Sequence, residues 1–366
     1  MQIVVLMAFV VAMAFADLAR EPQVTEFLLP PAAGRWLVMP AMLTYLAGAV
    51  AMGAFRTALS LRAIARDPDA PLASQRRFTV LTLIGQGWLV AGLGGVILLG
   101  YGPWVLEDLL LENVPLVGEA VILGPFVAAL LLSWLLEYPL YRVIRARVAE
   151  RQVLAGLDAR AAWTLGEYLG YNVRHHLLFV AAPVGLILLL TDSLMLLGRH
   201  FPRLALGASQ AVMVVLGPVG LESPELAADL AKTAGAVVCA GGVLICAPLL
   251  IVRVWRTARL PAGRLRDELW GLCREMKLKC RDLLIWRSGG LIANAGVMGL
   301  IGRVRYVLLS DALLEQMDDR QIKAIFAHEA GHIKAHHLFY ALLFAVSSVI
   351  LCSAAGELTA IALHLE

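Results

Sequence analysis

The chain has 366 residues, of which 60% are hydrophobic and only 16% are charged, and its mean hydropathy is +0.77. These values exclude an ordinary water-soluble globular protein and place the chain in a lipid bilayer. The net charge of +3 comes from clustered Arg that belong to membrane topology, so nucleic acid is not a partner.

In chain order, apolar stretches long enough to span a membrane occupy 36–55, 78–100, 116–136, 177–198, 233–252 and 338–363, with shorter or interrupted ones at 1–16 and 204–221. Ala14-Phe15-Ala16 resembles a cleavage site, but no Lys or Arg precedes its apolar run, so 1–16 is read as an uncleaved anchor. Arg56, Arg62, Arg66, Arg76 and Arg77 make the loop after 36–55 cytoplasmic, whereas Glu107, Asp108 and Glu112 mark the following loop as external. Arg142, Arg145, Arg147, Arg151, Arg160 and Arg174 give another cytoplasmic stretch, and Arg253, Arg256, Arg259, Arg264 and Arg266 a third. Three apolar segments lie between the cytoplasmic ends at 176 and 253, where an even number of crossings is required. The segment 204–221, broken by Gly217, Pro218 and Gly220, is therefore read as interfacial or re-entrant. The five Cys stand singly, none in a CxxC pair, and imply reduced thiols rather than a disulfide framework.

Residues 256–337 have a soluble character. Pro261 to Leu278 reads as an amphipathic helix with Leu265, Leu269, Leu272, Cys273 and Met276 on one face. Strands are predicted at Asp282–Arg287, Leu291–Leu300 and Arg305–Leu309, then a helix at Asp311–Met317. Asp318 and Asp319, with Gln321 after them, open a last helix whose apolar stripe is Ile322, Ile325, Phe326, Ala330 and Ile333.

That helix carries His328-Glu329-Ala330-Gly331-His332. Positions i and i+4 stack on one helix face about 6 Å apart along the axis, so both imidazoles converge on one Zn²⁺. Glu329 beside them supplies a carboxylate that takes a proton from activated water and hands it to a leaving amine. His336 falls on the same face of a continuing helix but about 12 Å along the axis from His328, too far to share that ion. Leu338 stands where a third His of the longer zinc motif would be. His336 and His337 read as a polar helix end, with support of a ligand as the alternative.

Asn294-Ala295-Gly296-Val297-Met298-Gly299, Arg305 to Leu314, Asp318-Asp319 and Ala327 to Lys334 resemble the catalytic core of the membrane zinc peptidases that include the HtpX heat-shock proteases and the CAAX prenyl endopeptidases. The resemblance covers about 80 residues and implies a gluzincin-like site facing the cytoplasm, with the strand from Asn294 and Ala295 holding the substrate backbone as an added strand. It also implies a third zinc ligand, a Glu on a later helix with an Asp four residues on. Here Glu357 is the carboxylate available after the motif, and Ile361 follows it at that spacing. Either the chain continues in a longer peptidase, or a membrane carboxylate such as Glu119 or Asp192 completes the set.

The expected protein is thus mainly α: a polytopic helical membrane protein with a small α+β zincin-like catalytic region. Its parts are a transmembrane region at 1–255, a cytoplasmic peptidase core at 256–337 and a C-terminal transmembrane segment at 338–366. The expected function is zinc-dependent endopeptidase action on membrane-associated or misfolded proteins at the plasma or inner membrane, with one catalytic Zn²⁺ held by His328, His332 and Glu357. A sensor-type regulatory peptidase and a non-catalytic scaffold are the alternatives.

Overall fold

The computed structural model describes residues 1–18, 34–66, 76–111, 114–154, 161–219, 223–290, 292–337 and scattered positions from 339 to 351. The protein is mainly helical. Among the described residues, five helices are long and apolar enough to cross a membrane: Trp36–Arg66, Thr79–Tyr101, Val117–Leu154, Leu165–His200 and Pro224–Val254. They contain five of the six long apolar stretches of the sequence, and the sixth, 338–363, lies almost wholly outside the described residues. The chain divides into two compact units, 1–240 and 241–366.

In the first unit, α1 (Gln2–Leu18), α2 (Gly34–Arg66), α3 (Arg76–Val96) and α4 (Val117–Leu154) share one core. Ala8, Ala12 and Ala16 recur at helical spacing on the buried side of α1, and such small residues let helix backbones approach closely. Aromatic rings fill the notches that glycines leave. A Cβ at Gly48 would lie 2.4 Å from the Trp88 ring, at Gly92 2.6 Å from Tyr45, and at Gly94 2.4 Å from Phe15. The polar tips of two of these rings are satisfied on backbone: Tyr45 Oη donates to Leu89 O at 2.9 Å and Trp88 Nε1 to Tyr45 O at 3.0 Å. Arg56 and Glu137 form an ion pair between α2 and α4.

Beyond α5 (Leu165–Asn172) and α6 (Leu178–His200), Phe201 leaves helical geometry and Pro202 opens α7 (Pro202–Leu216). With 15 residues α7 reaches about 22 Å, short of the roughly 30 Å hydrocarbon thickness. α8 (Pro224–Val254) follows.

The second unit holds a four-stranded sheet of order β1-β2-β4-β3, made of β1 (Ala258–Arg259), β2 (Asp282–Trp286), β3 (Ala295–Met298) and β4 (Tyr306–Ser310). β2 and β4 are parallel, and β3 pairs antiparallel with β4 at the sheet edge. β4 is buried along its whole length because both of its faces are covered. Val307 and Leu309 pack with α9 (Arg264–Glu275), α10 (Asp311–Gln316) and α11 (Asp319–Lys334). Tyr306 and Leu308 pack with Leu249, Val252 and Trp255 at the end of α8 and just beyond it.

Several expected boundaries shift. The helix expected from Pro261 to Leu278 is Arg264–Glu275, closed by a turn in which Lys277 has φ 54° and Leu278 N–H bonds Cys273 O. This turn brings the free thiols of Cys273 and Cys280 to 3.7 Å. The strand expected at 291–300 shrinks to Ala295–Met298. The helix expected to run on past Lys334 stops there, with His336 at φ 54°.

The glycine notches give a direct test. Gly48→Ala should cost roughly 1–3 kcal/mol by overpacking against Trp88, whereas Gly87→Ala, whose Cβ meets nothing within 4 Å, should not destabilise. Thermal unfolding of the two variants in detergent measures the difference.

Candidate active site

α11 begins at a reciprocal cap: Asp318 Oδ1 accepts from Gln321 N at 2.8 Å, and Gln321 Oε1 accepts from Asp318 N at 3.1 Å. Ile322, Phe326 and Ala330, spaced by four, are each at most 2% exposed and form the face seated in the core. The opposite face therefore carries His328 and His332 outward, with Glu329 half-buried at its margin. His328 Nε2 and His332 Nε2 lie 3.2 Å apart, with the rings nearly perpendicular at 88°. Ligand atoms of His328, Glu329 and His332 all lie within 4.8 Å of one another.

The pair fits zinc by its own geometry. Two nitrogens at tetrahedral vertices 2.0–2.1 Å from one ion are about 3.3 Å apart, close to the observed 3.2 Å. Two lone pairs turned toward one point suit a cation better than each other.

Beside the motif is a cleft of about 130 Å³, lined on one side by Val297, Gly299, Leu300 and Arg305 and on the other by Glu329, His332, Ile333, His336 and Phe339. Its strand side is the sheet edge. Ser310 N donates to Asn294 O at 2.9 Å and Ser310 Oγ accepts from Asn294 N at 2.9 Å, so Asn294 faces β4. By antiparallel alternation, the backbone groups of Ala295 and Val297 then point away from β4, toward the open edge. Asn294 Oδ1 already accepts from Ala295 N at 2.9 Å, and the Ala295 side chain is core. Among the expected pair, Asn294 therefore caps the start of the edge, while Val297, two residues beyond Ala295, lines the cleft. Val297 was not among the expected site residues; strand alternation from Ala295 is the signal that reaches it.

The approach to this edge is held by Asp311, whose carboxylate accepts from Ser288 N, Ser288 Oγ, Gly289 N and Ala312 N at 2.6–3.0 Å. Its exit is held by Arg305, which donates to Gly299 O, Leu300 O and Lys279 O. Gly299 has φ 112°, and a Cβ there would meet Val304 O at 2.8 Å, so the turn requires glycine.

Glu357 is outside the described residues. Glu119 and Asp192 belong to the first unit, where Asp192 Oδ2 accepts from Leu116 N at 3.1 Å. His337, expected at a polar helix end, touches His332 at 2.6 Å between Nδ1 atoms.

α11 is tied to α9 through Glu268, which bonds Lys323 Nζ at 2.6 Å and Arg264 Nε at 2.8 Å. Lys323 first, then Arg264, holds the Glu268 carboxyl below its usual range. A depressed folded value means that the bridge is fully present above the unfolded Glu range of about 4.3 and is lost as pH falls through the lower folded value. Glu268→Gln should therefore flatten the acid side of the stability profile and leave its neutral side nearly level, as read by unfolding midpoints from pH 3 to 7.

Residues 261–365 match the family model described as Peptidase family M48. No curated protein matches the chain. Among solved structures, the crystal structure of S. mikatae Ste24p is similar at 15% identity and a TM-score of 0.42, over 84% of this chain and 70% of that one.

Proposed function

We propose that this chain, whose residues 261–365 match the model of peptidase family M48, is a zinc endopeptidase that cleaves membrane-associated proteins. The observation that carries the reading is the 3.2 Å approach of two Nε2 atoms on α11 with Glu329 at the wall of the adjoining cleft. His328 and His332 are the zinc ligands of this reading, and Glu357 is its third protein ligand. Bound zinc supplies Lewis acidity toward a scissile carbonyl and makes water a better acid.

The chain's own groups do the rest. Glu329 takes the proton of the attacking water and returns it to the leaving nitrogen. An extended substrate pairs with the outward backbone groups of Val297, with β3 serving as a template strand. Val297, Leu300, Ile333 and Phe339 give the cleft apolar walls, which favour an apolar substrate side chain next to the cleaved bond. Arg253 in the last turn of α8 and Arg256, Arg259, Arg264 and Arg266 beyond it support a cytoplasmic position for the site at the plasma or inner membrane. Misfolded membrane proteins, which expose extended apolar segments, suit such a cleft.

The test is metal content and cleavage measured together on the full chain in detergent, with a quenched fluorescent casein as substrate. Glu329→Gln should keep zinc and lose 10²- to 10⁴-fold in turnover, while His332→Ala should lose both. Full activity in Glu329→Gln would overturn the reading. Metal analysis of Glu357→Gln decides the third ligand: retained affinity would remove it from the set.

A further inference from the structure

α11 ends in a way that places a third histidine against the motif. Ala335 N–H still bonds Gly331 O at 2.9 Å, but His336 takes φ 54° and its N–H bonds Ile333 O at 3.0 Å. Helical turns then resume, with Tyr340 N bonding His336 O at 3.1 Å. In an unbroken helix residue 337 would stand about 140° around the axis from residue 332, facing elsewhere. The left-handed residue between them instead turns the His337 ring onto His332, with centroids 4.8 Å apart and Nδ1 to Nδ1 at 2.6 Å.

Two ring nitrogens at that distance share one proton, one as donor and one as acceptor. His332 turns its Nε2 toward His328, and a neutral imidazole offering a lone pair at Nε2 carries its proton on Nδ1. His332 Nδ1–H is then the donor and His337 Nδ1 the acceptor, with the proton of His337 on its own Nε2. We propose that His337 is a positioning residue that locks the tautomer and ring angle of His332 for metal binding. The inference rests on the zinc reading above. It assigns work to a side chain that a continuous helix would have carried away from the motif.

The experiment measures zinc affinity of the full chain by competition with a chromogenic chelator, alongside the thermal midpoint of each variant. His337→Ala should weaken zinc binding 10- to 100-fold, the usual effect of removing a ligand's outer partner. His337→Asn, whose amide oxygen can accept from His332 Nδ1, should recover most of the loss. Excess zinc should restore turnover to His337→Ala but not to Glu329→Gln. Wild-type affinity in His337→Ala would overturn the proposal, as would equal weakening in the Ala and Asn variants, since the acceptor would then not matter. A wild-type chain that holds no zinc would instead overturn the metal reading itself.

Discussion

The seating of one face of α11 in the core of the second unit governs everything that happens at the site. Ile322, Phe326 and Ala330 share a cluster with Ala295, Val307, Leu309 and Leu313, and burying side chains of this size stabilises by roughly 1.5–3 kcal/mol each for the larger two. Once that face is fixed, rotation about the helix axis is no longer free. His328 and His332 must project on the other side, and Glu329, one residue on from His328, must fall at the boundary where β3 begins the cleft. The small side chains of Ala330 and Ala295, both nearly inaccessible, leave room for the helix to lie close to the edge strand.

The edge strand depends in turn on β4. A central strand with apolar cover on both faces has a fixed register, because a slip of one residue would exchange its two buried faces. That register sets Asn294 opposite Ser310 and sends the backbone groups of Ala295 and Val297 outward. Polar side chains then define the ends of the usable edge: Asp311 gathers the residues that lead into it, and Arg305 gathers three carbonyls where it stops. The cleft is therefore bounded by hydrogen bonds at its ends and by apolar packing along its walls.

Much of this was legible in the sequence, and the reasons differ by element. The membrane-length helices follow from long apolar runs, although α2 and α4 continue well past those runs, to Arg66 and Leu154, because Arg-rich turns extend a helix without ending its periodicity. α11 was legible from its cap and its stripe. β1 was not, since two residues carry no pattern of their own and are held by pairing with Leu284 and Ile285 and by the Arg259–Asp282 ion pair. The strand read from Leu291 starts late because Ser288 Oγ and Ser310 Oγ, rather than backbone carbonyls of β4, accept from Ile292 N and Asn294 N. Ala295 was placed at the edge by its backbone, while its side chain serves the core, a distinction that alternation reveals only once the partner strand is known.

The end of α11 shows why periodicity alone misplaced the outer histidines. A 3.6-residue repeat continued through 336 puts that residue on the face of His328 and His332 and sends 337 aside. Histidine tolerates the left-handed region better than most residues with a Cβ, and no proline or glycine marks the break, so the sequence carries no strong stop. The local cost of a left-handed residue is of order 1–2 kcal/mol. What offsets it is visible at the ring nitrogens of His332. With the break, one nitrogen faces His328 and the other faces His337; without it, the second would be left to solvent. His336 meanwhile remains at the cleft wall, so a single reversed residue gives the site both a lining side chain and a hydrogen-bond partner for His332.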